Sequence, residues 1–479
     1  MKKAIPAAAT ALAFVLVAAA CGSDNSSSSG GATATTAAAA ATTTAAATTT
    51  AAAATTTTAA ASGATTTAAA SGGGAAAGAF KVPDASCPAD AKTALAAGAD
   101  IKIGETVPLS GPLAAFGAIP QGIKVYLDKV NTEQGGIDGH KVTIIAKDDQ
   151  YDATKTVPAA TELIQSDKVL ADAFMIGTPN VAATRALHEQ TCTPQIWAGT
   201  GFPAWGDPKN HPWTTGGILA YNTEAKIWAS WIAKQKPGAT VGLLIFNNDF
   251  GKAYQTAFEK DAPANGLKIV STQLHEGTAT NIDNEVTALL AANPDFIFGG
   301  TTGAFCSKLM AGLSQGGYQG KTIISFTCAS VASFWKPVDP AGDGMYILGQ
   351  QKDPSDPTYA NDPAMVQYKA DVAKYGASLD ANNGNIATGY NVGYLLVKTL
   401  QDAAKLPGGL TRVNVMNAAW NIQGAKLPLI LGGVGNMNGN NDAYLSEWAA
   451  IAKYDAAKHS QVLTGETADL EGKTGLFAG

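Results

Sequence analysis

The sequence predicts an α/β protein of two doubly wound lobes with parallel sheets, joined by a hinge that the chain crosses three times. Three observations carry this. From residue 101 short β-rich runs alternate with helix-like segments, the pattern of βαβ units and of a parallel sheet covered on both faces. The same rhythm restarts at residue 222. Later, two long helical segments, 363–375 and 385–404, follow one another with no strand between them, and the simplest placement returns them to the first lobe.

Length supports two lobes. The chain has 479 residues, 46% of them hydrophobic, with mean hydropathy +0.04. Residues 25–79 are almost entirely Ala, Thr, Ser and Gly, without charge or aromatic side chains. Such a tract buries too little surface to offset the entropy of ordering, so it is expected to be disordered. Roughly 390 residues remain, more than the about 250–300 at which a single core stops growing.

In order, 101–107 reads as a strand and Ser110-Gly111-Pro112 as a turn. Ile119, Ile123, Val125, Leu127 and Val130 then mark a helix that Gly135-Gly136 stops. A strand at 141–147, a helix reaching Ile164, a strand at 169–176, a helix at 181–189 and a strand at 194–198 complete the first round. In the second round Asn222 reads as the N-cap of a helix carrying Ile227, Trp228, Trp231 and Ile232. Strands follow at 240–246, 267–273, 295–300 and 322–326, with helices at 251–262, 281–292 and 305–315. The segments 445–453 and 460–464 read as strands of the second lobe. Crossings fall near 213–222, 345–352 and 428–444. The first lobe is expected over 98–221 and 350–430, the second over 222–349 and 431–479. Ligands of open α/β sheets sit at the carboxyl ends of strands.

The N-terminus reads as a leader. Lys2 and Lys3 precede an apolar run over 7–20 that meets Cys21. This is the pattern of a secretory signal peptide, and the run is too short to span a membrane. Cys21 after Ala18-Ala19-Ala20 resembles a lipobox, with Ala18 where Leu, Val or Ile is usual. Residues 1–21 are thus a signal peptide and 22–97 a tether and lead-in, with an r.m.s. reach of about 40 Å for the flexible part. Loss of Lys2 and Lys3 leaves 30 basic and 38 acidic side chains, a charge of −8. No basic run appears, so nucleic acid is not an expected partner.

Cys87, Cys192, Cys306 and Cys328 remain, an even number in an exported chain, which suggests two disulfides. Three pairings exist. Cys306 and Cys328 each follow a strand, and neighbouring parallel strands bring such ends together. The expected pairs are therefore Cys306–Cys328 and Cys87–Cys192. Closing the shorter loop contributes roughly 3 kcal/mol in the chain-entropy model. No metal site and no cofactor is expected: CxxC is absent and the five histidines are dispersed. The stretch 436–447 follows an EF-hand spacing loosely, through Asn436, Asn438, Asn440 and Glu447, but lacks early acidic ligands and reads better as a polar turn. No nucleophile–base constellation appears, so no enzyme is expected.

Residues 101–117 read IKIGETVPLSGPLAAFG, 135–141 GGIDGHK, 147–152 KDDQYD and 248–251 NDFG, and Pro294-Asp295 precedes an apolar strand. In this order the segments resemble the branched-chain amino acid (Leu/Ile/Val-binding-like) type of extracytoplasmic substrate-binding lipoprotein. Such proteins have the type I periplasmic binding protein fold and feed ABC importers. The resemblance implies a small organic solute (an amino acid, amide, or aromatic or carboxylate compound), an ABC permease partner, a lipid anchor and a monomer. A ligand-sensing receptor domain of the same fold is the alternative.

The resemblance also implies a site. Ser110 and Phe116 belong to the first cleft loop, where a flat ring covers an apolar ligand face. Thr178, Pro179 and Asn180 lie at a helix start, whose free N–H groups suit a carboxylate. Thr200, Gly201 and Tyr221 continue the first-lobe wall. Phe250 of NDFG lies on the second-lobe wall with Thr301 and Thr302, which stand where amino acid binders of the family carry aromatic residues. The acidic partner of a ligand ammonium is missing from 327–330; Glu276 or Asp249 are the substitutes. Of five tryptophans within 197–231, Trp228 and Trp231 read as core, and Trp205 and Trp213 as pocket candidates. Asp148 and Asp149 read as loop and capping residues.

If Cys21 carries the anchor, Cys21→Ala releases the protein from the membrane fraction; unchanged anchoring of the variant on detergent extraction refutes it.

Overall fold

The computed structural model describes residues 78–478. The expected signal peptide, Cys21 and the tether up to residue 77 lie outside the described residues. Among the described residues no helix is long and apolar enough to cross a membrane.

The lead-in from residue 78 is ordered against the first lobe. Phe80 meets Trp420 edge-on, ring centres 5.6 Å apart. Asn421 clamps its backbone: Phe80 N donates to Oδ1, and Nδ2 donates to Phe80 O. Val82 and Cys87 are buried, Cys87 is bonded to Cys192, and a short helix α1 (Ala89–Lys92) follows. These apolar anchors hold the lead-in to the first lobe.

The first sheet comprises β1 (Ile101–Val107), β2 (Val142–Asp148), β3 (Ala171–Ala173), β4 (Gln195–Ala198) and β5 (Thr214–Gly216), with α2 (Ile119–Glu133), α3 (Ala153–Glu162) and α4 (Thr178–Thr191) between them. All pairings are parallel, in the order β2-β1-β3-β4-β5. Strand β5 went unanticipated, because three residues show no periodicity.

The chain then crosses into α5 (Tyr221–Gln235), β6 (Thr240–Phe246), α6 (Asp249–Ala264), β7 (Lys268–His275), α7 (Asp283–Ala292), β8 (Phe296–Gly300), α8 (Ala304–Gln315), β9 (Lys321–Ile324) and β10 (Tyr346–Gly349). It returns as α9 (Pro363–Tyr375), α10 (Gly384–Ala404) and α11 (Arg412–Trp420). It ends with β11 (Trp448–Asp455) and β12 (Ser460–Asp469). The second sheet runs β12-β11-β10-β9-β8-β6-β7. It is mixed rather than wholly parallel: β11 pairs antiparallel with β10 and β12. The turn between β11 and β12 is too short for a crossover, which forces that hairpin. Asn222 does not cap α5; the helix starts at Tyr221 behind an extended Ala220, with no side-chain cap bond.

Alternation along the strands assigns the layers. Val241, Leu243 and Ile245 of β6, with Phe296 and Phe298 of β8, pack under α5 and α6. Leu244 and Ile297 face α7 and α8. In the first sheet Ile101, Ile103 and Val107 pack with Val392, Leu395 and Leu396 of α10. Helices α2 and α10 touch closely because glycines meet there: a Cβ on Gly122 would lie 2.0 Å from Ile386 O.

One residue breaks the apolar pattern of β1's inward face. Glu105, between Ile103 and Val107 on β1, is fully buried, and neither carboxyl oxygen has a hydrogen-bond partner. Burial first, then the nearby Asp149, pushes its carboxyl well above the ordinary range. An acid raised in the folded state costs no stability below its unfolded value and progressively more above it. Stability therefore falls by up to about 1.4 kcal/mol per pH unit from roughly pH 4.5 upward on account of Glu105. Denaturant unfolding of Glu105→Gln at pH 5 and pH 7 should show a shallower fall than wild type over that interval.

Candidate functional site

Each sheet reverses its strand order once, between β1 and β3 and between β6 and β8. Connections leave such a switch point in opposite directions and open a crevice at the strands' carboxyl ends. The two crevices face one another across a cavity of about 220 Å³. Phe116 after β1 and Ile176-Gly177 after β3 line it from the first lobe; Phe250 after β6 and Thr302 after β8 line it from the second. Tyr151, after β2, adds a ring.

The back wall is the hinge itself. Gln350, Gln351, Ile430, Val434, Leu445 and Trp448 lie on or beside the second and third crossings. Gln351 and Ile430 form an isolated β-bridge. Gln350 Nε2 donates to Ser446 Oγ at 2.7 Å and to Trp448 O at 3.0 Å. Asn391 Nδ2 donates to Gln351 Oε1 at 2.9 Å, and its Oδ1 accepts from Leu429 N at 3.0 Å.

The lobes also touch across the cleft. Tyr151 stacks near Phe246, ring centres 5.9 Å apart, and Phe116 meets Phe334 at 5.9 Å. Ala304 N donates to Pro112 O at 3.0 Å. Gly303 makes that contact practicable: its φ is +63°, and a Cβ would lie 2.9 Å from Leu113 Cγ and 3.0 Å from Pro112 O.

Of the expected ligand-binding residues, Phe116, Tyr221, Phe250 and Thr302 line the cavity. Thr178, Thr200 and Tyr221 are brought together: the Thr178 and Thr200 hydroxyls are in contact, and Tyr221 Oη donates to Thr200 Oγ1 at 3.1 Å. Thr178 and Thr200 are buried one layer behind the lining. Gly201 binds Tyr221 N through its carbonyl, and Pro179 is half-buried at the start of α4. Asn180 Nδ2 donates to Asp149 and Thr156. Thr301 Oγ1 is paired with His275 Nε2 at 2.8 Å. Ser110 Oγ donates to Asp148 at 2.7 Å on an exposed loop. Glu276 is exposed and bound by Asn247, and Asp249 is exposed in the first turn of α6. None of Gly201, Pro179, Asn180, Thr301, Ser110, Glu276 and Asp249 lines the cavity.

Trp205 and Trp213 are corrected to core residues, 1% and 3% exposed. Trp205 packs on Met175, Val181 and Ala198, and Trp213 joins the cluster of Ile196 and Trp420. The loop carrying them folds back on its own sheet and buries its large rings there. Tyr151 and the hinge residues were missed. The KDDQYD segment signals Tyr151; nothing local signals the hinge. Both disulfides join the expected pairs, Cys87–Cys192 and Cys306–Cys328.

Buried polarity supports the walls. Glu224 accepts from Phe326 N at 3.0 Å and from Trp228 Nε1 at 3.1 Å, and also binds Tyr254. Burial pushes its carboxyl up to about 7, against those hydrogen bonds. It thereby ties α5 to Phe326, a lining residue. Burial holds His275 down at about 4, so the ring between Phe246 and Phe305 is neutral. No Lys, Arg or His lines the cavity among the described residues. Its two acids are spent: Asp353 accepts from Val331 N and Ser355, and Glu447 from Gly472 N and Thr474 N.

Asp442, Glu447 and Glu471 bring carboxylate oxygens within 4.8 Å of one another, the acid group among the described residues best spaced to share a cation. Burial and the two neighbours push Asp442 up to about 7. Of the EF-hand positions Glu447 belongs to this group, whereas Asn436 donates to Glu471 and Asn440 to Gly78 O.

Two α/β lobes, three crossings and a cavity between facing switch points define the type I periplasmic binding fold. The family model described as periplasmic binding protein matches residues 100–455, and the chain belongs to that family. The Leu/Ile/Val-binding protein BraC3 of Rhizobium johnstonii is 36% identical over 198 residues, 40% of this chain and 50% of that protein. The chain spans about half the length of this and similar curated relatives. A branched chain amino acid ABC transporter protein from Thermus thermophilus with bound valine superposes with TM-score 0.69 at 17% identity, covering 78% of this chain and 97% of that one. The fatty acid ABC transporter substrate-binding protein from Thermomonospora curvata gives 0.67 at 20%, covering 81% and 96%.

The hydroxyls behind the wall should carry stability. Thr178→Val leaves Thr200 short of a partner and should cost about 1–2 kcal/mol, measured by denaturant unfolding.

Proposed function

We propose that this chain is the extracytoplasmic solute-binding component of an ABC importer. Cys21 tethers it to the membrane, the cleft captures a small organic solute, and a permease receives it. The lobes divide at 98–221 with 350–430 and 222–349 with 431–479. The observation that carries this reading is the cavity between the two facing switch points, walled by rings from both lobes. Closure acts as a population shift: contacts made to both lobes at once favour the closed form.

We infer that the wall disfavours a zwitterionic amino acid. Thr301-Thr302 follow β8 and no free carboxylate lines the cavity, while Asp353 and Glu447 are held by protein donors. An ammonium buried there without a partner costs several kcal/mol. An amide or another uncharged aromatic or aliphatic solute suits this wall; a carboxylate would have to be held by hydrogen bonds alone, since no cation lines it. The names of the valine-bound Thermus protein and the fatty acid-binding Thermomonospora protein indicate that the fold accepts both kinds of ligand.

Calorimetry against amino acids, amides and aromatic and aliphatic carboxylates, with small-angle scattering of each mixture, tests the reading. Binding with compaction is expected, and neither across the whole panel overturns it. Gly303→Ala should weaken any binding solute at least about tenfold, 1.4 kcal/mol, by obstructing the Pro112–Ala304 contact, and should also lower the unfolding midpoint, because φ is +63° there.

A further inference from the structure

We propose that residues 470–478, the segment after β12, form a strap that doubles the third crossing and holds the lobes toward the shut arrangement without any solute. This rests on the hinged two-lobe reading above and names the part that sets its resting position. The third crossing changes lobes within a few residues. Tyr444 and Leu445 belong to the core of the first lobe, and Ala449 and Ile451 to the core of the second. Glu447 stands between them and is 1% exposed.

The segment after β12 returns over this joint in the opposite direction. Its start is fixed to the second lobe: Leu470 packs against that lobe's core, and its N–H donates to Glu447 O at 3.0 Å. The chain then turns at Gly472 and Gly475, whose φ values of +67° and +75° suit glycine. The turn aims two N–H groups at one carboxylate: Gly472 N donates to Glu447 Oε2 at 2.6 Å, and Thr474 N to Oε1 at 3.0 Å. Convergent backbone N–H groups make an anion-binding concavity, and hydrogen bonds to an ionised acceptor are among the strong ones. The far end is fixed to the first lobe. Ala443 N donates to Gly475 O at 3.1 Å, and Phe477 N to Gly206 O at 2.8 Å. Gly206 lies on the loop after β4, where Tyr444 Oη also donates to Pro203 O at 2.7 Å.

Swinging the lobes apart about Glu447 rotates the two sides of this joint against each other. A single crossing absorbs such a rotation in a few backbone dihedrals. A second segment anchored on both sides must give up hydrogen bonds at one anchor to follow. The strap therefore disfavours opening, and a solute that needs the shut form finds more of it already populated.

The test needs no solute. The Ala304 amide bonds to Pro112 O across the cleft, so its hydrogen exchange reports opening of the lobes. Two shortened chains, ending at Gly475 and at Leu470, are compared with the full chain by hydrogen exchange and small-angle scattering. The first lacks the Phe477 anchor, and the second also lacks the clasp on Glu447. Ala304 exchange should speed about tenfold or more in the chain ending at Leu470, the ratio that one or two lost hydrogen bonds carry, and by less in the other. The radius of gyration should rise in the same order. Leu476, Phe477 and Ala478 are exposed or half-buried, so the chain ending at Gly475 decides the matter if the shorter one does not fold. Unchanged Ala304 exchange and unchanged scattering in the folded shortened chains overturn the strap and leave solute binding standing. Faster exchange and expansion, beside a solute panel that shows no binding, uphold the strap and defeat the solute-binding reading.

Discussion

The cleft depends on one constraint: three chain crossings must bring the carboxyl ends of two sheets opposite one another. A small polar network holds them in register. Gln350 joins the second crossing to Ser446 and Trp448 on the third, and Gln351 and Asn391 join both to α10. Buried amides are costly unless paired, so each has only a few satisfactory arrangements. The same pairing that sets the hinge geometry engages side chains that line the back of the cleft.

The front of the cleft is built in two layers. Phe116, Tyr151, Tyr221, Phe250 and Phe326 are the surface a solute meets. Behind them Thr178 and Thr200 bond to one another and to Tyr221, and Glu224 holds Phe326 through its backbone N–H. The supporting layer carries most of the polar atoms, and the lining layer most of the carbon. Hydroxyls that would serve a carboxylate in another arrangement serve here to orient rings.

Much of the fold was legible because the parallel strands are buried on both faces and read as apolar runs between helical stripes. Helix 363–375 lies at its expected bounds, and the stripe of Ile119, Ile123, Val125, Leu127 and Val130 is buried as its spacing implies. Short elements were less visible. Strand β5 has three residues and β10 four, too few for a period. Helix α11 was missed because it is buried on nearly all sides and shows no stripe. Tryptophan content misled: Trp205 and Trp213 lie on a loop, and loops suggest function, yet their ring area is better buried beneath that loop than at the cleft.

By itself the sequence determined the two doubly wound lobes, the family to which the motifs of 101–117, 135–141 and 147–152 belong, and the cysteine pairs. The lobes follow from local periodicity, Cys306–Cys328 from strand adjacency with Cys87–Cys192 as the remaining pair, and the family from the resemblance those motifs carry. Only the tertiary structure decided which residues face the cavity. Phe116, Tyr221, Phe250 and Thr302 reach it while Ser110, Glu276 and Thr301 do not, and Tyr151 and the hinge segments join them from far along the chain. The physical reason is that a lining is set by which hydrogen bonds are already satisfied and where three crossings converge. Both are properties of residues hundreds of positions apart, and no local pattern encodes them.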